Sequence, residues 1–187
     1  MATKKQVFIF FVLFWCANPL FSQKTVTIVG NAPAYSGDSL VLKTYSDRIT
    51  YIETSLGKTK VAENGDFELT CKCEKTVLAF IYLGKHKGLL YIRPGKKYNI
   101  VLPPKETKSI VDKLNPYFEE SEFYIGIKSD EKPLNYYIQK FDDRYNAYIN
   151  ENYIQILRRP DADKIERFIQ STDSLFVDVD IPYFDHY

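Results

Sequence analysis

The sequence predicts a mainly β protein: an antiparallel β-sandwich with a helical C-terminal extension, α+β overall. Two observations carry this. Residues 24–104 break into about eight short apolar or alternating runs at turn spacings of roughly 8–12 residues, the signature of a sandwich. Past Asp130 the apolar period changes from strand-like to helical. No long helical pattern interrupts the runs, so a parallel α/β sheet is disfavoured.

From Thr25, the alternation of Val26 and Ile28 gives a first strand, ended by Gly30-Asn31. Leu40, Leu42 and Tyr45 carry the second after a turn at Ser36-Gly37-Asp38. Ile49 to Thr54, β-branched and aromatic, reads as a third. Leu56-Gly57-Lys58 should turn the chain into a strand over Thr59–Glu63. The stretch from Thr59 to Leu102 then reads as consecutive hairpins. Asn64-Gly65 suits a type I′ turn, since both residues tolerate positive φ. After it, Phe67, Leu69, Cys71 and Cys73 share one face. Val77 to Leu83 is nearly continuous apolar, and Gly84 to Gly88 turns the chain into Leu89 to Ile92. Pro94-Gly95 fits a type II turn before the strand Tyr98–Leu102.

Pro103-Pro104 closes the β region, placing a sandwich domain at 23–104. A connector follows over 105–132, with weak helical periodicity at Ile110, Val111 and Leu114 and room for an extra strand at Phe123–Ile127. Residues 133–187 form a two-helix extension. In its first helix Leu134, Ile138, Phe141, Tyr145, Tyr148 and Ile149 make the apolar stripe, with Gln139, Lys140, Asp142, Asp143 and Asn146 opposite. The second begins after Pro160, where Asp163 and Glu166 resemble a capping box. Ile165, Phe168, Ile169, Thr172 and Leu175-Phe176 are its stripe.

The first segment is processing grammar and not fold. Lys4 and Lys5 precede the apolar run Val7–Trp15, and Asn18-Pro19 breaks it. This reads as a secretory signal over residues 1–22, too short for a comfortable membrane span, with the cut placed after Ser22 and an uncleaved anchor as the alternative. Trp15 before Cys16 disfavours a lipoprotein signal. The expected destination is the periplasm or cell envelope, with no membrane span once the signal is cleaved. The remaining chain has 23 Lys and Arg against 24 Asp and Glu. Without a coherent basic face, nucleic-acid binding is excluded.

Cys71 and Cys73 remain after processing. On a strand, i and i+2 lie about 6.5–7 Å apart at Cα, at or past the limit for a disulfide. They read as buried core side chains, with a strained redox pair as the alternative. Only His86 and His186 are available to join them, so no metal site is expected. His86 reads as a solvated turn residue. Asp142-Asp143 and Glu119-Glu120 read as solvated faces, because neighbouring helical side chains diverge by about 100°. No phosphate loop, dinucleotide fingerprint, nucleophile elbow or zinc-protease motif occurs. No catalytic residue or cofactor is therefore expected. The 15 Tyr are spread along the chain, and half-buried strand and helix positions explain most of them. The chain ends on Tyr183, Phe184 and Tyr187. Either this tail docks onto the helices or the helical region continues in a longer chain; exposed, it is a candidate partner contact.

Several segments together resemble a known family. They are Asn64-Gly65-Asp66-Phe67-Glu68-Leu69, Phe80-Ile81-Tyr82-Leu83-Gly84, Tyr91-Ile92-Arg93-Pro94-Gly95-Lys96 and Leu114-Asn115-Pro116-Tyr117-Phe118. They resemble the exported bacterial β-rich domain of unknown function that commonly precedes the thioredoxin-like domain of TlpA/ResA-like thiol–disulfide reductases and AhpC/TSA-type relatives. The resemblance places reductase activity in a Trp-Cys-x-x-Cys domain that this sequence lacks. It implies an accessory module with a protein partner at the envelope. The alternatives are a thiol–disulfide redox protein, acting through Cys71 and Cys73 or a missing C-terminal domain, and a glycan- or peptide-binding module.

Overall fold

A computed structural model describes residues 24–47, 49–129 and 131–187. The signal segment, its cut after Ser22 and Cys16 lie outside the described residues. The alternating runs become nine strands in two stacked sheets. These are β1 (Lys24–Asn31), β2 (Ser39–Tyr45), β3 (Glu53–Lys60), β4 (Asp66–Cys73), β5 (Val77–Leu83), β6 (His86–Ile92), β7 (Lys97–Val101), β8 (Ser121–Tyr124) and β9 (Gly126–Ile127). One sheet runs β4-β1-β7-β9 and the other β3-β2-β5-β6-β8. Three α-helices follow or interrupt them: α1 (Ile110–Leu114), α2 (Leu134–Arg158) and α3 (Ala162–Phe176). The fold is mainly β and α+β overall.

Period-two patterning builds the core. Val26 and Ile28 of β1, Leu69 and Cys71 of β4, and Ile100 of β7 face Leu42, Ile81, Leu83, Leu90 and Ile92 of the other sheet. Each fully buried Ile or Leu here contributes roughly 1.5–3 kcal/mol. Five of the seven strand pairings are antiparallel; β1–β7 and β6–β8 are parallel.

The connections differ from a run of hairpins. Only β5–β6 is a hairpin within the 59–102 stretch, closed by the two-residue Gly84-Lys85 loop. His86 therefore starts a strand, its ring edge-on to Phe123 and its Nε2 3.7 Å from Glu106. The Asn64-Gly65 turn is present, but it carries the chain from one sheet to the other. Only Gly65 has positive φ, at 89°, and the Gly65 N–H donates to the Ala62 carbonyl at 2.9 Å. This three-residue loop, with glycine in the left-handed position, replaces the type I′ turn. Pro94-Gly95 also crosses between sheets, with the Lys96 N–H on the Arg93 carbonyl at 3.3 Å.

The strand expected at Ile49–Thr54 and the turn expected at Leu56-Gly57-Lys58 are both replaced by the single strand β3. The Asp47 carboxylate accepts from the Ile49 and Thr50 N–H groups at 2.8 and 2.6 Å, which holds Ile49 and Thr50 in a turn and not in extended backbone. Gly57 stays in the strand because the sheets close together there. A Cβ on it would stand 2.8 Å from the Thr70 carbonyl oxygen.

On the opposite side, Phe123–Ile127 is two strands and not one. The chain leaves β8 on the five-stranded sheet, passes through the buried Ile125, and enters β9 on the four-stranded sheet. The helical segment packs outside the sandwich. Leu134 and Ile138 of α2 join Tyr91, Leu78 and Tyr124 on the outer face of the five-stranded sheet. Asp161, and not Asp163, caps α3, accepting from the Lys164 N–H at 3.1 Å. No described helix is long and apolar enough to cross a membrane.

Candidate functional site

Cys71 and Cys73 point inward from β4 and are both buried and free. Burial, then the neighbouring Cys73, pushes the Cys71 thiol up to about 11; burial also raises Cys73. A nucleophilic or redox cysteine needs the opposite environment, exposed and electropositive. Among the described residues, no group of three or more His, Cys, Asp or Glu side chains could hold a metal ion.

The terminal aromatics turn inward. Tyr183 and Phe184 pack on the cluster of Tyr91, Leu134 and Ile138. The Tyr187 hydroxyl donates to both oxygens of Asp142 at 3.0 Å, and the Tyr124 hydroxyl donates to the same carboxylate. Asp142 is thus not on a solvated face: it ties the sheet edge, α2 and the tail together. Beside it, Asn135 is 5% exposed. Its Oδ1 accepts from the Tyr91 N–H at 2.6 Å and its Nδ2 donates to the Tyr91 carbonyl at 2.8 Å. Beyond Leu89, β6 has no strand partner on that side because the chain leaves for the other sheet at Ile125. One side-chain amide stands in for the missing strand. The spacing Asn135, Ile138, Asp142 is a helical row, and reading it as one face would have found both polar residues.

A second polar cluster covers the open end of the same sheet face. Lys87 is 7% exposed, with Nζ 2.8 Å from Glu122, 2.5 Å from the Tyr45 hydroxyl, and over the Phe80 ring. Burial opposes its charge, but the bonds to Glu122 and Tyr45 prevail and its pKa is raised. The amine stays an ammonium, which rules it out as a neutral nucleophile. Lys87 serves to bury Phe80.

A groove of about 510 Å³ lies where sandwich, α2 and tail meet. Leu134, Tyr137, Val179 and Ile181 provide its apolar lining. Arg93 and Lys96 from the β6–β7 turn and Lys97 at the start of β7, with Lys128 and Lys132 from the segment between β9 and α2, make one wall basic. None of these five forms an ion pair with a described residue. Asp178 and Asp180, on the segment after α3, and Glu131 supply the acidic groups. The Arg93 N–H donates to the buried Tyr98 hydroxyl at 2.8 Å, which anchors the basic turn to the core. The separate basic pairs give no sign of this wall in the sequence, because two segments distant along the chain assemble it. A groove that combines apolar side chains with charged ones suits binding.

No protein-family model, no curated protein and no solved structure matches this chain.

Proposed function

We propose that the chain is an exported, non-catalytic accessory module of the cell envelope, akin to the domain that precedes thioredoxin-like reductases, and that it binds a protein partner. The groove at the sandwich–helix–tail junction carries this reading. It joins apolar side chains to five cationic ones that form no ion pair with a described residue, which is the chemistry of recognition. The signal grammar of residues 1–22 supports export. Buried thiols with raised pKa weigh against the redox alternative.

The test is to express the full chain in a bacterium, fractionate the cells, and sequence the N-terminus of the recovered protein. Native-state alkylation of Cys71 and Cys73 is then followed by intact mass. The expected result is a periplasmic chain beginning at Gln23 whose two free thiols label slowly. A cytosolic chain retaining residues 1–22 would overturn export. Fast labelling, or a mass two protons light that mild reductant restores, would transfer the function to redox chemistry.

A further inference from the structure

We infer that the junction groove binds an extended acidic peptide segment bearing an apolar side chain, with β9 as the rim along which the segment lies. This rests on the proposed function, since it names the partner chemistry of that same site.

Three independent features converge on it. The first is charge. Arg93, Lys96, Lys97, Lys128 and Lys132 face one groove without an ion pair to any described residue. Like charges gathered on a rim repel one another and are relieved by an anionic occupant. The second is the apolar lining, formed by Leu134, Tyr137, Val179 and Ile181, which rewards an apolar side chain and gives nothing to a bare anion. The third is backbone. Ile127 is opposite Ile100, and the next residue, Lys128, donates its N–H to the Asn99 carbonyl at 2.7 Å. In an antiparallel ladder hydrogen-bonded and non-hydrogen-bonded pairs alternate, so the N–H and C=O of Ile127 point away from β7. β9 is the outer strand of its sheet, and this pair lies on the groove rim. An extended peptide can use all three features at once by adding to the edge. A lipid headgroup or a polynucleotide uses only the charge.

Asp178 and Asp180 face the occupant from the tail side. They repel an acidic segment that strays from the basic wall, so they set register and weaken binding together. Removing them should therefore tighten binding, an effect opposite to that of removing the lysines.

The probe is a fluorescein-labelled Glu-Glu-Phe-Glu-Glu peptide, titrated by anisotropy with protein purified from cells expressing the full chain. Lys-Lys-Phe-Lys-Lys, Glu-Glu-Ser-Glu-Glu and vesicles of phosphatidylglycerol are run beside it. The acidic aromatic peptide is expected to bind best, and less well as salt rises. Lys96→Glu with Lys128→Glu should weaken it by about tenfold or more. Asp178→Asn with Asp180→Asn should tighten it a few-fold. All four positions are exposed, and unchanged thermal melts will show that the variants fold. Equal binding of the serine peptide would remove the apolar lining from the site and overturn the inference. So would equal binding of the lysine peptide, indifference to the charge reversals, or capture by vesicles without binding of the peptide. If the peptide fails while export and slow thiol labelling hold, the inference falls and the module reading stands. If export fails, that reading falls whatever the peptide does.

Discussion

The sandwich and the helical hairpin are held together by different physics. Between the sheets, side chains from both layers meet in one contiguous apolar cluster. Between α2 and α3 the contacts are mostly polar. Arg144 donates to Thr172 and Ser171 at 2.8 and 2.6 Å, and Lys164 donates to Asn152 at 2.5 Å. Tyr148 stacked on Phe168 at 3.9 Å and Phe141 against Phe176 at 6.2 Å supply ring contacts, while Ile154 and Leu157 are 63% and 67% exposed. A sheet pair buries its apolar faces by itself. The hairpin depends on the few residues that attach it to the sheet: Leu134, Asn135, Ile138, Asp142 and the tail. The groove lies across that attachment, so its shape depends on the weaker of the two regions.

The largest expected effect is in the strong region. Ile81 is 1% exposed at the centre of the core. Ile81→Ala should destabilise the whole protein by about 2–5 kcal/mol through lost burial and a residual cavity. In urea unfolding the midpoint should fall for sheet and helix signals together. If the helical signal kept its midpoint, the hairpin would be stable without the sandwich and the contrast drawn above would fail.

Asn135→Ala should act the other way round. It leaves the buried N–H and C=O of Tyr91 without partners, at a cost of roughly 2 kcal/mol. That loss falls on the attachment. Amide hydrogen exchange should quicken in the first turns of α2 and in the tail, with β1 and β4 staying protected. Equal loss of protection in β1 would show that sandwich and hairpin open as one unit.

The same contrast explains how much was legible in the sequence. Local chemistry was: the Phe67-Leu69-Cys71-Cys73 face, the Val77–Leu83 strand and both helices follow from period and composition. Pairing was not. A turn such as Glu63-Asn64-Gly65-Asp66 has the same composition whether it returns the chain within a sheet or crosses to the other. Gly57 reads as a turn residue in the sequence because a close approach to Thr70 leaves no trace in its own neighbourhood. The candidate site suffered most. Its basic wall comes from separate loops, and Asn135 and Asp142 look like ordinary solvated helix residues until the sheet beneath them is known.

The smallest effect concerns the tail, and pH isolates it. Tyr91, Tyr124 and Tyr187 all have raised pKa values, chiefly from burial. A neutral phenol can donate to Asp142, and a phenolate cannot. With folded values above the unfolded value of about 10, the folded state holds its protons more tightly than the unfolded chain does. The stabilisation is therefore fully present below pH of about 10 and is lost as pH rises through the folded values. Chymotrypsin should cut the tail slowly at neutral pH and faster as pH climbs past that point. Tyr187→Phe keeps the ring on Tyr91 and Phe141 but removes the donor to Asp142. It should weaken tail docking by about 1 kcal/mol or less, because Tyr187 is 41% exposed and water competes for the bond. Cleavage at neutral pH should then quicken only modestly, and its alkaline rise should become shallower. If Tyr187→Phe left the alkaline profile unchanged, the pH response would belong to Tyr98 and the other raised tyrosines of the sandwich, and the tail would be held by apolar packing alone.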